Sequence, residues 1–464
     1  MERVLPKTLD YTDVLPLAVE SRARRRTFFP VNGQSFASDG ANIIRIDLSA
    51  DALLDTQHSY LRFNFTPTTN KVGIDFSGGH GFIKRLRIEQ SGVVLEDINS
   101  YNRLMGAIVL PCQSGHDHHK ERSMTEFVRP QGGGATIDTG VTQANSVVAM
   151  TANSAGTNLA RGGLHNAETY LHETQPYTFT TPLNSGLLNC DKLVPLMLMS
   201  APLTIEIELA PAGEPYIQET ALAAGYTIDN VRYIANLVEV GGDVAQQLRM
   251  VQEMSGGVLT LAGQTYRHFT GVVSAGAGDK VVNVPARVKS MKSLFFACQD
   301  GDGTASRTKY TCSFGGNMAM DEFQLKIGSV VYPPTPVKCD FGDGANGYDG
   351  AGAKKSEALM ELAKAWGNVG STKGIGQLDF LSYAAVLDTA PTTAGLLTFA
   401  PFGLDLEAFQ RVAIESGVNT ADRSLPISLI VKGTANTTQR NVDAYVLADA
   451  LFYINADGSM SVSV

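Results

Sequence analysis

The stretch Phe82 to Asp97, FIKRLRIEQSGVVLED, alternates apolar and polar residues as a strand, turns at Gln90-Ser91-Gly92 and resumes as a second strand. A hairpin of the same form returns at Met320 to Pro334, MDEFQLKIGSVVYPP. Arg85 to Ile88 falls on Glu322 to Leu325, and Gly92 to Leu95 on Ser329 to Tyr332, at a constant spacing of 237. A repeat constrains a fold strongly, because a duplicated domain must repeat its whole order of elements. Four further echoes keep that order. Asn42 to Leu48 resembles Lys280 to Pro285 at a spacing of 238, and Tyr60 to Phe65 resembles Ser293 to Cys298 at 233. Pro202 to Leu209 resembles Pro426 to Gly433 at 224, and Asn230 to Leu237 resembles Asp443 to Ala450 at 213. Any two strands share alternation, so each pair alone says little. Their common order implies two copies of one all-β domain, with loops of different length absorbing the drift.

A chain of 464 residues has room for two such cores of roughly 200 residues each. A hydrophobic content of 44% with 18% charged residues is that of a folded chain, and 46 glycines with 19 prolines favour many turns. The net charge of -9 argues against wrapping nucleic acid, which requires clustered Lys and Arg. Cys112, Cys190, Cys298, Cys312 and Cys339 are odd in number, far apart and without a Cys-x-x-Cys pair, the pattern of buried thiols in a reducing compartment. The opening MERVLPKTLDYTD carries charges where a secretory signal needs an apolar run, and Leu193 to Leu203 is too short to span a bilayer.

The sign of the charge reverses at the start of the chain. Residues 1–30 read as an arm outside the repeat, ending in Arg22, Arg24, Arg25 and Arg26, and the stretch through Arg26 sums to +2. Leu9, Val14, Leu15, Ala18 and Val19 suit a short amphipathic helix behind Thr12 as N-cap. Such an arm either touches phosphate, from a genome or lipid headgroups, touches a neighbouring subunit, or is a solvated basic tail. Behind the first hairpin, Ile98 to Leu110 has its apolar residues at helical spacing. Behind the second, Lys355 to Trp366 reads as a helix with Ser356 as N-cap. Long polar or glycine-rich loops are expected at Gln113 to Thr180, Gln299 to Asn317 and Phe341 to Gly352.

Motifs for chemistry are weak. His116, His118 and His119 with Glu121 and Glu126 are a dense set of possible metal ligands, as in a cupin, but the glutamates fall at the wrong spacing and no second cupin motif holds a later histidine. Gly347 to Ser356 puts glycines before Lys and Ser, yet Ala353 separates the last glycine from Lys354, unlike a phosphate loop. Asp300 to Gly303 lacks the closing glutamate of a calcium loop. The reading is therefore of no catalytic residue, no metal and no cofactor.

The hairpin Leu86-x-Ile88-x-x-x-Gly92-Val-Val-Leu-Glu-Asp97, followed by Ile98-x-x-Tyr101-x-x-Leu104, resembles that of the double jelly-roll major capsid proteins of tailless icosahedral DNA viruses. These include the capsid proteins of nucleocytoplasmic large DNA viruses, virophages and Polinton-like elements, with the adenovirus hexon as a larger relative. The closing Ala448 to Gly458 is similar to their last strand. The resemblance implies an all-β fold of two tandem eight-stranded jelly rolls, at residues 31–245 and 246–464, each with a short helix after the corresponding hairpin. It implies a homotrimer forming a pseudo-hexagonal capsomer in a virion shell assembled inside the host cell. The implied partners are neighbouring capsomers, penton proteins and minor capsid or cement proteins, with Arg22, Arg24, Arg25 and Arg26 facing an internal membrane or genome. Two alternatives stand beside it: a receptor- or carbohydrate-binding jelly-roll protein of a virion, and a metal-dependent cupin-like enzyme.

Overall fold

The computed structural model describes residues 21–68, 72–114, 116–128, 171, 175–190, 192–218, 225–299, 311–313, 315–339, 356–367, 369, 376, 378, 383, 399–408, 417–422, 424–436 and 439–464. The predicted helix behind Thr12, the loop at Phe341 to Gly352 and most of Gln113 to Thr180 lie outside them.

Among the described residues, sixteen of the strands form two sets of eight in the same order. The first set is β1 (Ser21–Phe28), β2 (Ile43–Leu48), β3 (Leu53–Phe65), β4 (Ile83–Gln90), β5 (Val93–Asn99), β6 (Tyr177–Thr181), β7 (Leu203–Leu209) and β8 (Thr227–Val240). The second is β9 (Val258–Val273), β10 (Gly276–Asn283), β11 (Met291–Gln299), β12 (Glu322–Ile327), β13 (Val330–Lys338), β14 (Pro401–Asp405), β15 (Ile427–Asn436) and β16 (Arg440–Asn455). Their sheets match strand for strand. The order β1-β8-β3-β6 is repeated as β9-β16-β11-β14, and β2-β7-β4-β5 as β10-β15-β12-β13. Two antiparallel four-strand ladders per unit, wound in this order, are a jelly roll.

Cross-strand register tests the echoes residue by residue. Ile234 stands opposite Tyr60 and Leu447 opposite Ser293, pairs related by the spacings 213 and 233 read from sequence. Ile205 opposite Ile88 becomes Leu429 opposite Leu325 in the same way, at 224 and 237. In β5 and β13 the ladders bulge at different places, so the spacing of 237 holds there only for Val93 and Val94. β2 and β10 slip along their whole length. Ile46 faces Ile205 and Val282 faces Leu429, so the correct spacing there is 236, and the sequence reading of 238 lies two residues out. A slip of two preserves which side chains face inward, so alternation alone could not detect it.

Both hairpins turn through left-handed residues, Ser91 and Gly92 in one and Gly328 in the other, as tight hairpin turns require. The cores repeat as well. Phe63 on β3 stacks on Phe179 of β6 at 5.3 Å, and their counterparts Phe296 and Phe402 stack at 5.1 Å. One continuous set of buried apolar side chains runs through both jelly rolls.

The predicted helix after the first hairpin is α1, residues 101–113, with a π-helical turn at Leu104–Val109. It begins three residues later than its apolar spacing suggested. Ile98 and Asn99 complete β5, pairing with Leu86 and Arg85, and Ser100 breaks the strand with φ of 48°. Two further helices, α2 (His116–Thr125) and α3 (Gly242–Met254), follow. The helix after the second hairpin is α4 (Ser356–Ala365), which starts at the predicted N-cap serine and packs on β14.

The arginine cluster departs from the arm reading. Ser21 to Phe28 pairs in unbroken antiparallel register with β8, from Ser21 opposite Val240 to Phe28 opposite Tyr233. It is the opening strand of the first jelly roll, equivalent to β9. Four arginines in six residues hid the strand because none of them is buried, leaving no apolar alternation to read.

Candidate assembly surfaces

The two jelly rolls are joined along a polar, buried seam. Val93 to Asn99 lies against β9, and α1 is wedged between the lobes, with every residue from Tyr101 to Cys112 buried. Close approach is built into the backbone. A Cβ on Gly263 of β9 would lie 2.4 Å from the carbonyl oxygen of Gly186, so nothing larger than hydrogen fits there.

Three buried carboxylates organise the seam. Glu96 of β5 accepts the backbone N–H of Gly186 at 2.8 Å and the hydroxyl of Thr265, across the seam, at 2.7 Å. Asp75 accepts the backbone N–H of Ser77 at 2.8 Å and the hydroxyl of Ser313, also across the seam, at 3.1 Å. Asp443 of β16 accepts from Arg103 Nε of α1 at 3.1 Å and bonds His268 Nε2 of β9 at 3.0 Å. Arg103, 3% exposed, also donates through Nη1 to the carbonyls of Thr311 and Cys312, both at 3.0 Å. Tyr445 donates its hydroxyl to the carbonyl of Ser100 at 2.9 Å. Gln90 closes the far end, donating to the carbonyl of Gly458 at 3.1 Å and accepting the N–H of Met460 at 2.6 Å.

The electrostatics differ among these groups. Burial raises the pKa of Asp75 and of Glu96 above the ordinary carboxylate value, against the pull of the hydrogen bonds each accepts. Burial acts the same way on Asp443, but the hydrogen bond with His268 and the charge of Arg103 outweigh it and hold that carboxyl below its usual value. Arg103 and Asp443 are thus an ion pair with its hydrogen bonds largely satisfied inside the protein, the condition under which a buried charge is tolerated.

The four arginines singled out from sequence are brought together on β1, and all four are exposed. Arg24 pairs with Glu239 at 3.0 Å, Arg25 donates to the Tyr60 hydroxyl at 3.1 Å, and the Arg26 guanidinium lies 4.8 Å from the Phe28 ring. Among the described residues they lie along the sheet edge, where β1 has β8 on one side only.

The histidine cluster sits on α2. His118 bonds Ser114 Oγ at 3.0 Å, while the side chains of His116 and His119 lie outside the described residues. Glu126, the carboxylate that a metal site would recruit, accepts from Arg122 Nε at 2.8 Å and from Thr181 Oγ1 at 2.9 Å, tying α2 to β6. Among the described residues no three of His, Cys, Asp and Glu gather as a ligand set. None of the five cysteines is in a disulfide, and all are buried.

Sequence reading missed the seam residues. Arg103 and Asp443 are separated by 340 positions, and each reads as an ordinary charge on an amphipathic element. Both fall inside or beside repeated segments, Asp443 opening the last echo, and that was the available signal.

At the level of sequence, no family model and no curated relative matches the chain. Solved structures do match. VP54 of PBCV-1, a crystal structure fitted into a reconstruction of the virophage Sputnik, superposes with a TM-score of 0.61 at 11% identity, covering 98% of this chain and 99% of that one. The Faustovirus major capsid protein gives 0.52 at 8% identity over 97% and 92% of the two chains. The mavirus major capsid protein gives 0.52 at 9% identity over 100% and 96%. The fold is the double jelly roll. Coverage of nearly the full length of both partners shows that the tandem arrangement is shared, and not a single lobe alone.

Proposed function

We propose that the chain is the major structural protein of an icosahedral virus shell, acting as a homotrimer whose six jelly rolls make a pseudo-hexagonal capsomer. One observation carries this reading: two jelly rolls of identical strand order are welded by a buried seam into one two-lobed block, the tandem arrangement shared over nearly full length with capsid proteins. A shell tile must keep its shape under lateral load, and an interface of satisfied buried polar groups with backbone-to-backbone packing resists rotation of one lobe against the other. The place of action is the virion, and the partners are neighbouring capsomers together with penton and minor capsid or cement proteins. The role is structural, with no cofactor. The arginines of β1 mark one functional surface, for which an internal membrane or genome is the expectation by analogy.

Light scattering on a size-exclusion column tests the reading. The expected mass is three times the 49.5 kDa of the chain, with hexagonal arrays or shells by electron microscopy. A stable monomer overturns it.

A further inference from the structure

The first jelly roll holds a cavity of about 700 Å³ beside the seam, between β3, α1, α2 and the end of β6, and among the described residues its lining comes from that lobe alone. Met105, Val109 and Leu110 of α1 form one wall, with Pro182 and Leu183 just past β6 forming another. A chamber of this size, largely apolar with a few polar groups, is the ordinary form of a small-molecule site.

Two buried donors on its lining lack acceptors. One is His80, in the short 3-10 helix Gly78–Phe82 and only 3% exposed. The Tyr101 hydroxyl accepts the backbone N–H of Asn184 at 2.8 Å and lies 3.2 Å from His80 Nδ1. Its own proton goes to Nδ1, the acceptor within reach, so the imidazole carries its hydrogen on Nε2. Burial pushes the pKa of His80 down to about 4 and keeps the ring neutral. Among the described residues Nε2 has no partner. Arg122, equally buried and on the same lining, donates Nε to Glu126 and Nη2 to the Phe76 carbonyl, both at 2.8 Å, and keeps Nη1 without a partner. A buried donor left unpaired is costly, so two of them on one cavity point to an acceptor brought by a ligand.

Charge selects the kind of acceptor. Glu126 already opposes Arg122, and Glu121 lines the same cavity, so an anionic head would meet two carboxylates for one arginine. His118, also on the lining, is held to Ser114 Oγ at 3.0 Å. We propose that the cavity binds an uncharged single-chain amphiphile, a long-chain aliphatic alcohol in class, whose oxygen accepts from His80 Nε2 on the side of Arg122. Its chain lies along Met105, Val109, Leu110, Pro182 and Leu183.

The cavity lies where three elements meet. Glu126 ties α2 to β6 through Thr181 Oγ1 at 2.9 Å, and Tyr101 ties α1 to the chain past β6 through Asn184. An aliphatic chain laid between them fills the space that separates the seam helix from the outer helix. It stabilises the first lobe, since a ligand held only by the folded state raises that state's stability. The site needs one lobe of one chain, so it exists whether or not chains trimerise.

Isothermal titration calorimetry of the full chain with 1-decanol tests the site. Saturable one-to-one uptake is expected, with a melting temperature that rises with 1-decanol concentration. Decanoate, the same chain length with a charged head, should bind about tenfold more weakly than 1-decanol. His80→Phe keeps a ring and loses the donor, and should weaken 1-decanol about tenfold, the worth of one hydrogen bond. Leu183→Trp fills the place of the aliphatic chain and should abolish uptake. Thr125→Trp, at an exposed position on the same lining, replaces either variant whose circular dichroism shows it unfolded. No saturable uptake by wild type, uptake that the folded variants leave unchanged, or decanoate bound more tightly than 1-decanol overturns the proposal.

Discussion

Strands β1 and β9 occupy the same place in their jelly rolls and have opposite surfaces. At one ladder position β9 has Gly263, pressed against the backbone of Gly186, and β1 has Arg24, half in solvent beside Glu239. At another, Thr265 is buried on Glu96 and Arg26 lies open over Phe28. The backbone ladder asks nothing of these side chains, since both strands pair fully with their neighbours. What covers the strand decides the residue: a lobe at van der Waals distance demands glycine, and an open edge accepts arginine. Charge on a sheet edge also blocks indiscriminate strand pairing while leaving a specific partner admissible. The same contrast separates two helices, α1 buried from Tyr101 to Cys112 and α4 half open.

The largest test of this contrast removes the ion pair on the covered side. Arg103→Ala leaves Asp443 buried with His268 as its remaining ionisable partner, and the expected loss is about 3–5 kcal/mol of folding stability, read as a lowered denaturant midpoint. The matching change on the open side, Glu361→Ala, should leave the midpoint of the isolated chain within about 0.5 kcal/mol, since surface pairs contribute little. Equal losses from the two variants would mean that covered and open surfaces do not differ in the way their exposures indicate.

The same pair gives a pH signature. The folded-state pKa of Asp443 lies below its ordinary value of 3.8, so its contribution is fully present above that value and is lost as pH falls through the folded one. Wild type should therefore exceed Asp443→Asn in thermal stability near neutral pH, and the gap should close in acid below about pH 3.8. A gap that stays constant into strong acid would remove Asp443 from the acid limb. Glu96 works in the opposite direction: its raised pKa makes its contribution greatest in acid and weaker as pH rises past the ordinary 4.5.

Much of the fold was legible, and for a definite reason. Strands buried on one face carry alternation, and duplication places the same alternation twice in one order, so β3, β4, β7 and β8 could be matched to β11, β12, β15 and β16 in correct register. Where a strand lacks a buried face the signal disappears. β1 is the clearest case, since Arg22 to Arg26 read as an arm. β6 and β14 were missed because each is five residues long, and their shared feature, a phenylalanine stacked on β3 or β11, is a contact and not a pattern. The seam was illegible because its residues pair across 169 to 370 positions through single polar contacts, and no periodicity announces an isolated Arg or Asp.

A smaller effect is expected where the lobes touch by backbone alone. Gly263→Ala places a Cβ 2.4 Å from the Gly186 carbonyl oxygen and must push the lobes apart, for a loss of about 1–3 kcal/mol. Arg24→Ala, at the equivalent position, should leave chain stability within about 0.5 kcal/mol. Thermal melts of the two variants side by side are enough. If Gly263→Ala melts with wild type, the lobes are not held at the distance on which the seam depends.

The smallest effect sharpens the comparison at the hairpins themselves. Gly92 turns with φ of 81° and has no atom within 4 Å of the position a Cβ would take, so Gly92→Ala meets conformational strain alone, about 1 kcal/mol. Gly328 turns with φ of 61°, but its Cβ would lie 2.9 Å from Leu425 Cδ2. Gly328→Ala should therefore cost the same strain plus the displacement of a packed leucine, and its denaturant midpoint should fall below that of Gly92→Ala. The hairpin that first revealed the repeat would then have two turns of equal backbone demand and unequal surroundings. Equal midpoints would show that Leu425 yields freely, and that the strain of a left-handed alanine is the whole of the effect in both lobes.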